Sequence, residues 1–368
     1  MEKLEVVANF DWLEKEETVG FLYYDSLGGN SLYSFEYSNK WLRNHPDLIL
    51  GNDIRPFVGK QYAPENRLFG CFADSLPDYW GKKLIDLKTE QTNNEKVIYK
   101  LSDWDYLKGV EDILRIGGFR YKIPETGEYL NNSETFQVPP LLSLKDLAEA
   151  ARKVEEGEFM KDTPENRWIE RLFKPGSSVG GARPKACVYD NNSLYIAKFP
   201  STIDNWNVGR WEYFANRMAK QCGINTTETK IIPFKTDRDI FLSKRFDRTR
   251  DGKRIHMSSA LNLLGLTLDD YQKEKHGYSE IADLIVSSGT NVEKSLQELY
   301  RRIAFSICIG NTDDHLKNHS FLLTKKGWEL SPVYDINPTI YSSHGLLINE
   351  YSNESNLNLL YKAYKLYK

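Results

Sequence analysis

The stretch from Asn291 to Ile309 constrains the fold of this chain more than any other part of the sequence. Its apolar residues recur at steps of three and four, which predicts a helix with one buried face. Asn291 is a suitable N-cap, and Gly310 is a suitable C-terminal stop. A polar loop follows directly, and a hairpin turning about Lys326 comes after it. The helix fixes the start of the polar loop, and the hairpin brings the chain back towards that loop. Together they limit which polar residues can lie close to one another.

The polar loop contains a candidate site for phosphate chemistry. Folding the hairpin about Lys326 places Asn318 near Asp335, and both lie close to Asp313. An amide oxygen and a carboxylate, completed by waters and phosphate oxygens, are common ligands of Mg²⁺. With a second carboxylate, that of Asp313, to orient an attacking hydroxyl, the set suits phosphoryl transfer.

Simpler interpretations of the same loop stay open. Loops rich in Asn and Asp often only cap helices and form turns, which applies most to Asn311 and Thr312. His315 is either a metal ligand or a hydrogen-bond partner that orients the loop, and acidic neighbours favour the second role.

Composition excludes several functional classes. The formal net charge of the 368 residues is −3 and the isoelectric point is about 6.2, so unaided nucleic-acid binding is not expected. The four cysteines form no CxxC pair, which argues against a zinc site or a disulfide framework and favours a reducing cytosol. The first residues do not resemble a signal peptide, and no apolar run approaches membrane-spanning length.

The chain before residue 140 has its own pattern. Residues 20–24 and 31–35 predict two strands joined by a turn, and a helix is expected after Pro77. The turn-rich stretch 124–140 is interpreted as the end of an N-terminal domain, and residues 144–157 as an amphipathic helix.

A second candidate site lies in the middle of the chain. Residues 176–185 form a glycine-rich loop, and residues 186–198 predict a hairpin. Glycines allow backbone N–H groups to approach phosphates. The Walker pattern is absent, because no GKS or GKT follows, and a plain turn remains an alternative.

Lys198 ends the predicted hairpin on an apolar strand face, where a lone ammonium is costly without an anionic partner. Glu212, on a helix predicted over 210–221, is the candidate partner. Kinases use such a pair beside a glycine loop to hold nucleotide phosphates. Two alternatives remain: the Lys198 side chain extends along the strand end to place its ammonium group in water, and Glu212 is an ordinary solvent-exposed helix residue.

A third segment, residues 240–248, predicts a strand that crosses between two lobes.

Five motifs in this order resemble the HipA-type serine/threonine kinases, which are toxins of bacterial toxin–antitoxin modules. They are Ser178–Lys185, Ile196–Pro200, Arg245–Arg248, Asn311–Ser320 and Leu330–Asp335. Residues 72–78 and 116–121 also resemble an accessory subdomain of that family. The resemblance covers roughly residues 170–340 together with these N-terminal stretches.

The resemblance implies a role for each matching residue. Asp313 corresponds to the catalytic aspartate, Asn318 and Asp335 to ligands of Mg²⁺, and Ser178 to an autophosphorylated serine whose modification silences the kinase. The residues that correspond to an ATP-binding set are Val179, Gly180, Gly181, Ala182, Arg183, Lys185, Lys198, Arg245, Phe246, His315 and Lys317.

The resemblance also implies partners. The expected ones are a HipB-like helix-turn-helix antitoxin and a protein substrate bearing Ser or Thr, namely a translation factor such as an aminoacyl-tRNA synthetase. Its phosphorylation would arrest growth and lead to persistence. DNA would be reached only through the antitoxin, and no membrane partner is expected.

These observations predict an α+β chain with a two-lobed, protein-kinase-like fold. The expected parts are a β-rich accessory subdomain (1–140), a kinase N-lobe (141–243) and a mainly helical C-lobe (244–368) that is shorter than is usual for the family. Two other functions stay open. One is a metal-dependent hydrolase built on Asp313, Asp314 and His315, and the other is a non-catalytic, antitoxin-binding corepressor.

Overall fold

The computed structural model describes residues 1–64, 66–92, 100–132, 138–158, 183–339 and 342–368, without the side chains of residues 91, 92, 268, 269 and 272. Helices and sheets are mixed along the chain, in agreement with the predicted α+β class. Most of the predicted glycine-rich loop, including Ser178, Val179, Gly180, Gly181 and Ala182, lies outside the described residues.

The N-terminal part forms a five-stranded antiparallel sheet in the order β4-β3-β2-β1-β5. Its strands are β1 (Glu2–Ala8), β2 (Glu17–Leu27), β3 (Asn30–Tyr37), β4 (Lys60–Tyr62) and β5 (Phe119–Lys122). The predicted pair of strands is confirmed as β2 and β3. Their turn is tighter than predicted, because Gly28 and Gly29 both adopt a positive φ and form a two-residue hairpin loop.

Among the described residues up to position 158, there are five α-helices. They are α1 (Asn39–Asn44), α2 (Gly70–Ala73), α3 (Tyr79–Thr92), α4 (Asp103–Gly109) and α5 (Leu144–Glu155). The helix predicted after Pro77 is confirmed as α3, and the amphipathic helix as α5. Trp80 and Leu84 of α3 pack with Leu147 of α5 in the core beneath a second sheet.

The second sheet has four strands in the order β6-β7-β9-β8. They are β6 (Lys185–Asp190), β7 (Ser193–Lys198), β8 (Thr229–Lys235) and β9 (Arg238–Lys244). Helix α6 (Val208–Gln221) packs on β9, where Gly209 allows close approach. A Cβ added there would lie 2.5 Å from the carbonyl oxygen of Asp239.

The rest of the chain is mainly helical. Its elements are β10 (Met257–Ser259), α7 (Ala260–Leu263), α8 (Leu268–Lys273), α9 (Tyr278–Ser288), α10 (Val292–Ile309), β11 (Ser320–Thr324), β12 (Gly327–Leu330) and α11 (Leu357–Lys362). Strands β10, β11 and β12 form a three-stranded sheet. Short 3₁₀ helices lie at Asp112–Leu114, Leu141–Ser143, Leu316–Asn318 and Tyr364–Tyr367.

Helix α10 and its hairpin follow the sequence prediction closely. Gly310 ends the helix in the left-handed region, with a φ of 69°. Asn291 occupies the N-cap position, but its side chain makes no capping hydrogen bond. Its amide instead donates to Glu329, 2.9 Å away on β12. The hairpin turns at Lys325 and Lys326, between the paired residues Thr324 and Gly327.

The largest hydrophobic core joins the N-terminal sheet to the C-terminal helices. Phe35 and Phe119 belong to the same buried cluster as Tyr278 and Leu299. These contacts and the packing of α3 run across the expected boundaries near residues 140 and 243, so that division of the chain stays a prediction. Within the described residues, no helix combines the length and apolarity needed to cross a membrane.

Candidate active site

A cleft of about 280 Å³ lies between the second sheet and the C-terminal part. The second sheet and α6 line it with Lys198, Glu212 and Phe241, and the segment after β9 lines it with Arg245, Phe246 and Asp247. The C-terminal part contributes His315, Lys317, Asn318, Ser320, Tyr334 and Asp335. Eight of the residues predicted from the sequence thus line one cleft, namely Lys198, Glu212, Arg245, Phe246, His315, Lys317, Asn318 and Asp335.

Lys198 joins the two sides of the cleft. Its Nζ donates to Glu212 Oε1 and to Asp335 Oδ1, at 2.6 Å each. Burial alone would lower the pKa of Lys198, but the two carboxylates outweigh it and raise that pKa. Burial raises the pKa of Glu212, which Lys198 opposes. The lysine therefore stays charged, as contact with an anionic ligand requires.

Asp335 is held in an uncommon backbone conformation. Its φ is 57°, in the left-handed region that non-glycine residues rarely adopt. Burial favours its neutral form, but Lys198 and then Lys185 lower its pKa to about 2. The carboxylate is thus ionised at neutral pH. Strained residues of this kind are concentrated at functional sites.

The hairpin brings Asp335 to the polar loop as the sequence predicts. Ser331 N donates to Ser320 O at 2.8 Å, which extends the pairing of β11 and β12. The Tyr334 hydroxyl then donates to Lys317 O at 2.6 Å. Asn318 and Asp335 consequently line the same cleft, although they are far apart in the hairpin sequence.

Asp313 projects from the loop after α10 and is exposed. Burial raises its pKa, and Asp335 and Asp314 add to that effect against His315. The side-chain amide of Asn318 donates to the carbonyl oxygen of Asp313 at 3.3 Å. An exposed carboxylate with a raised pKa, beside a cleft that contains ionised Asp335, can accept a hydrogen bond from a hydroxyl group.

Asp314 faces the protein interior. Its carboxylate accepts hydrogen bonds from the Tyr278 hydroxyl at 2.7 Å and from His319 Nε2 at 3.0 Å. Burial alone would raise its pKa, but His319 and Tyr278 outweigh it and lower that pKa. Across the described ranges, no three His, Cys, Asp or Glu residues form a group that could hold a metal ion. The engagement of Asp314 with Tyr278 and His319 disfavours the hydrolase built on Asp313, Asp314 and His315.

Arg183 and Lys185 belong to the loop whose backbone is predicted to bind phosphates, and their side chains form ion pairs within the protein. The guanidinium group of Arg183 donates to both carboxylate oxygens of Asp204, at 2.6 and 2.7 Å. The Nζ of Lys185 donates to Asp78 Oδ2 at 3.1 Å, and both side chains are buried. The structure therefore does not bring the Arg183 or Lys185 side chain to the surface of the cleft.

The guanidinium group of Arg245 has partners within the protein, and a contact of this residue with ATP stays a prediction. Its guanidinium group is buried against Asp247 at 2.6 Å and donates to the carbonyl oxygens of Leu114 and Arg115. The ring of Phe246, by contrast, packs against that of Tyr334 with 5.7 Å between centroids. Hydrogen bonds from Arg245 therefore fix the segment after β9 to residues 114–115 of the N-terminal part. Phe246, in the same segment, provides an apolar surface in the cleft.

Residues before position 120 also line the cleft, and reasoning from the sequence did not assign them to the site. They are Asp74, Leu76, Asp78, Tyr79 and Ile116. The resemblance singled out residues 72–78 and 116–121 without a role. In the sequence, Asp78 stands just before α3, where an aspartate is expected to cap the helix. The structure shows such a contact, because Asp78 Oδ1 accepts a hydrogen bond from Gly81 N at 2.7 Å. A capping role therefore accounts for Asp78 in the sequence and gives no indication that it lines the cleft.

The donor set in the cleft suits a hard divalent cation. Asp335 offers an ionised carboxylate, and Asn318 offers an amide oxygen in the same cleft. Mg²⁺ is usually bound through one or two such protein oxygens, with waters and substrate phosphates completing the shell. These two residues therefore fit Mg²⁺ without a larger cluster.

A comparison of the sequence with models of protein families gives one match that includes most of the site residues. A family model described as the HipA-like C-terminal domain matches residues 177–366, which is more than half of the chain. The chain belongs to the HipA-like family. The predicted resemblance is confirmed, and the matched range includes Lys198, Asp313, Asn318 and Asp335.

Curated relatives of this HipA-like chain include kinases. A putative kinase of Haemophilus influenzae is 26% identical over 204 residues, which cover 48% of this chain and 58% of the relative. The serine/threonine-protein kinase toxin HipA of Shewanella oneidensis is 24% identical over 189 residues, or 44% of this chain and 43% of the relative. The matches thus span about half the length of these relatives.

A solved structure supports the fold over nearly the whole chain. Shewanella oneidensis HipA, in a complex with HipB and its operator DNA, superposes with a TM-score of 0.70 at 18% identity. The superposition covers 98% of this chain and 84% of that chain. The predicted two-lobed, kinase-like α+β fold with an N-terminal β-rich part is confirmed.

Proposed function

We propose that this chain is an ATP- and Mg²⁺-dependent serine/threonine protein kinase and the toxin of a HipA/HipB-like toxin–antitoxin system. The observation that carries the proposal is the bridge from Lys198 to Glu212 and Asp335, in a cleft that also contains Asn318 and Phe246. A charged lysine between two carboxylates suits a site where phosphates and a cation replace part of that contact.

Asp313 and six residues of the cleft have roles in the proposed reaction. Asp313 orients the substrate hydroxyl and accepts its proton, for which a raised carboxyl pKa is favourable. Lys198 binds ATP phosphates, and Glu212 keeps its ammonium group in place. Asn318 and Asp335 hold Mg²⁺, which neutralises charge on the phosphates when bound. His315 and Lys317 lie where they can contact the phosphates from the opposite side.

The adenine ring would pack against apolar side chains of the cleft. Ile116, Ile196 and Phe246 are among the residues that line it. The glycine-rich residues Val179, Gly180, Gly181 and Ala182 would cover the phosphates, and Ser178 would be the site of self-inhibitory autophosphorylation. These five residues lie outside the described part of the chain, so their roles rest on the sequence pattern.

The proposed partners follow from the family. The solved relative binds HipB and operator DNA, which supports a helix-turn-helix antitoxin as partner and DNA contact through it. The net charge of −3 agrees with indirect DNA contact. The proposed substrate is a Ser- or Thr-bearing translation factor, namely an aminoacyl-tRNA synthetase, whose phosphorylation in the bacterial cytosol would arrest growth and lead to persistence.

The test is incubation of the purified chain with a bacterial lysate and ATP labelled on the γ-phosphate. We expect one lysate protein to gain label on Ser or Thr in the presence of Mg²⁺, and the chain itself to gain label on Ser178. Asp313→Asn should give neither product. Label in no protein, although ATP binds, would contradict the kinase and favour the corepressor role.

A further inference from the structure

One N-terminal segment connects both sides of the cleft. We name residues 74–80 the bridging segment. At its start, the carboxylate of Asp74 accepts from Ser259 N at 2.7 Å and from Ser258 Oγ at 2.9 Å, both on β10 of the C-terminal part. At its end, Asp78 and Trp80 contact Lys185 on β6 of the second sheet. Four residues of the segment line the cleft itself, namely Asp74, Leu76, Asp78 and Tyr79.

The bridging segment holds Lys185 by both its side chain and its backbone. Lys185 Nζ donates to Asp78 Oδ2 at 3.1 Å, and Trp80 Nε1 donates to the carbonyl oxygen of Lys185 at 3.1 Å. The other oxygen of Asp78 accepts from Gly81 N, which fixes the carboxylate on the first turn of α3. A buried ion pair anchored in this way restricts the lysine to one position.

Lys185 lies where the glycine-rich loop joins the second sheet. It is the last residue of the predicted glycine-rich loop and the first residue of β6, and it is paired in register with Lys198. Burial lowers the pKa of Lys185 and raises that of Asp78, and each charge offsets part of this effect on the other. The strand partner of Lys185, Lys198, donates to Asp335 Oδ1 at 2.6 Å, so Lys185 lies one strand away from the ion pair at the phosphate end of the cleft.

We propose that Asp78 is a positioning residue for the phosphate end of the cleft, which it serves by holding Lys185 at the exit of the glycine-rich loop. The N-terminal part thereby becomes a component of the nucleotide site. This inference rests on the proposed binding of ATP. Loss of the Asp78 charge removes the buried anion opposite the Lys185 ammonium group and so alters the charge beside the phosphates, while the apolar lining of the cleft is unchanged.

The test compares Mg²⁺·ATP with adenosine, which has no phosphates, by calorimetry on the full chain. Asp78→Asn keeps an acceptor for Gly81 N but removes the charge opposite Lys185. We expect at least about fivefold weaker binding of Mg²⁺·ATP, with adenosine affinity within about twofold of the wild type. Unchanged affinity for both ligands, or an equal loss for both, would overturn the role of Asp78.

Asp53→Asn is the matched control. Asp53 is also a mostly buried N-terminal aspartate that accepts a hydrogen bond from the first residue of a helix, Gly70, but it does not line the cleft. We expect this variant to bind both ligands within about twofold of the wild type. A selective loss of ATP binding here would overturn the inference, because it would show that any such substitution has that effect.

A double variant tests whether Asp78 acts through Lys185. Lys185→Met should weaken ATP binding, and adding Asp78→Asn should cause no further loss, because the two residues act as one unit. Independent, multiplying losses would overturn the proposal. Phosphate transfer by the wild type is scored separately. A wild type that binds ATP with the expected pattern but transfers no phosphate would contradict the kinase and leave this inference standing.

Discussion

Lys198 at the end of β7 and Asp335 in the loop after β12 form an ion pair across the cleft, with Nζ and Oδ1 2.6 Å apart. Glu212 on α6 binds the same ammonium group at 2.6 Å. One lysine therefore connects the second sheet, its helix and the C-terminal part. Because Glu212 is more deeply buried than Asp335, the two carboxylates should respond differently to mutation.

Asp335→Asn should abolish phosphate transfer while leaving the fold intact. Lys198 keeps Glu212 as a partner, so the free energy of unfolding should fall by only about 1–2 kcal/mol. Loss of the carboxylate removes a proposed Mg²⁺ ligand, and transfer should fall at least about 100-fold. Urea unfolding and labelled-phosphate assays measure the two effects.

The control for that variant is Asp190→Asn, whose carboxylate pairs with Lys230 at 2.8 Å in the turn region of the β6–β7 hairpin. It should retain transfer close to that of the wild type. Full transfer by Asp335→Asn would exclude Asp335 from the site.

Lys198→Met should destabilise the protein as well as inactivate it. The substitution leaves Glu212 buried without its partner, which costs about 3–5 kcal/mol in comparable buried pairs. Adding Glu212→Gln should restore part of that stability, because the buried charge is then absent. Urea unfolding of the single and double variants at pH 7 decides the matter. A double variant no more stable than the single one would contradict the pairing.

Asp314→Asn should affect stability far more than chemistry. The substitution weakens the hydrogen bonds from Tyr278 and His319, which should cost about 1–3 kcal/mol. Folded Asp314→Asn should keep transfer within about tenfold of the wild type, in contrast to Asp313→Asn. If instead the two variants were equally inactive and Asp314→Asn were fully stable, Asp314 would belong to the reacting groups.

His256 should make the protein less stable in mild acid. Its ring stacks on Phe10, with 4.8 Å between centroids, and burial lowers its pKa to about 3. The unfolded chain, with an ordinary histidine pKa near 6.5, therefore takes up the proton first, and stability falls as the pH drops from about 6.5 towards 3.

The variant His256→Phe tests this pH dependence. Between pH 7 and pH 5 the wild type should lose about 2 kcal/mol more of its unfolding free energy than the variant does, as measured with urea at each pH. Equal losses in the two proteins would mean that His256 is not kept neutral by burial.

The parts of the site that lie close together in sequence were predictable. The period of α10, the stop at Gly310 and the turn at Lys325-Lys326 together bring Asn318 to Asp335. Strand alternation and an unpaired Lys198 pointed to Glu212 for the same reason, because a buried charge requires a partner. Local periodicity and charge pairing are properties that a single sequence displays.

The parts that depend on distant segments were not predictable. The pair of Asp78 and Lys185 spans 107 residues, and a capping role alone explains Asp78 in the sequence. The contacts of the buried Arg245 guanidinium group with the carbonyl oxygens of Leu114 and Arg115 were not predicted either, because these residues lie 131 and 130 positions away in the sequence. The pattern of neighbouring residues in a sequence does not indicate which distant carbonyl oxygen a side chain will bind.

The most direct measurement of the central claim is transfer of labelled γ-phosphate by purified wild type and purified Asp313→Asn, side by side with Mg²⁺. The Asp313 carboxylate is exposed, so the variant should fold with unchanged stability. We expect the wild type to label itself or a lysate protein on Ser or Thr, and the variant to be at least about 100-fold slower. Equal transfer by the two proteins, or transfer by neither when both bind ATP, would contradict the assignment of this cleft as a kinase active site.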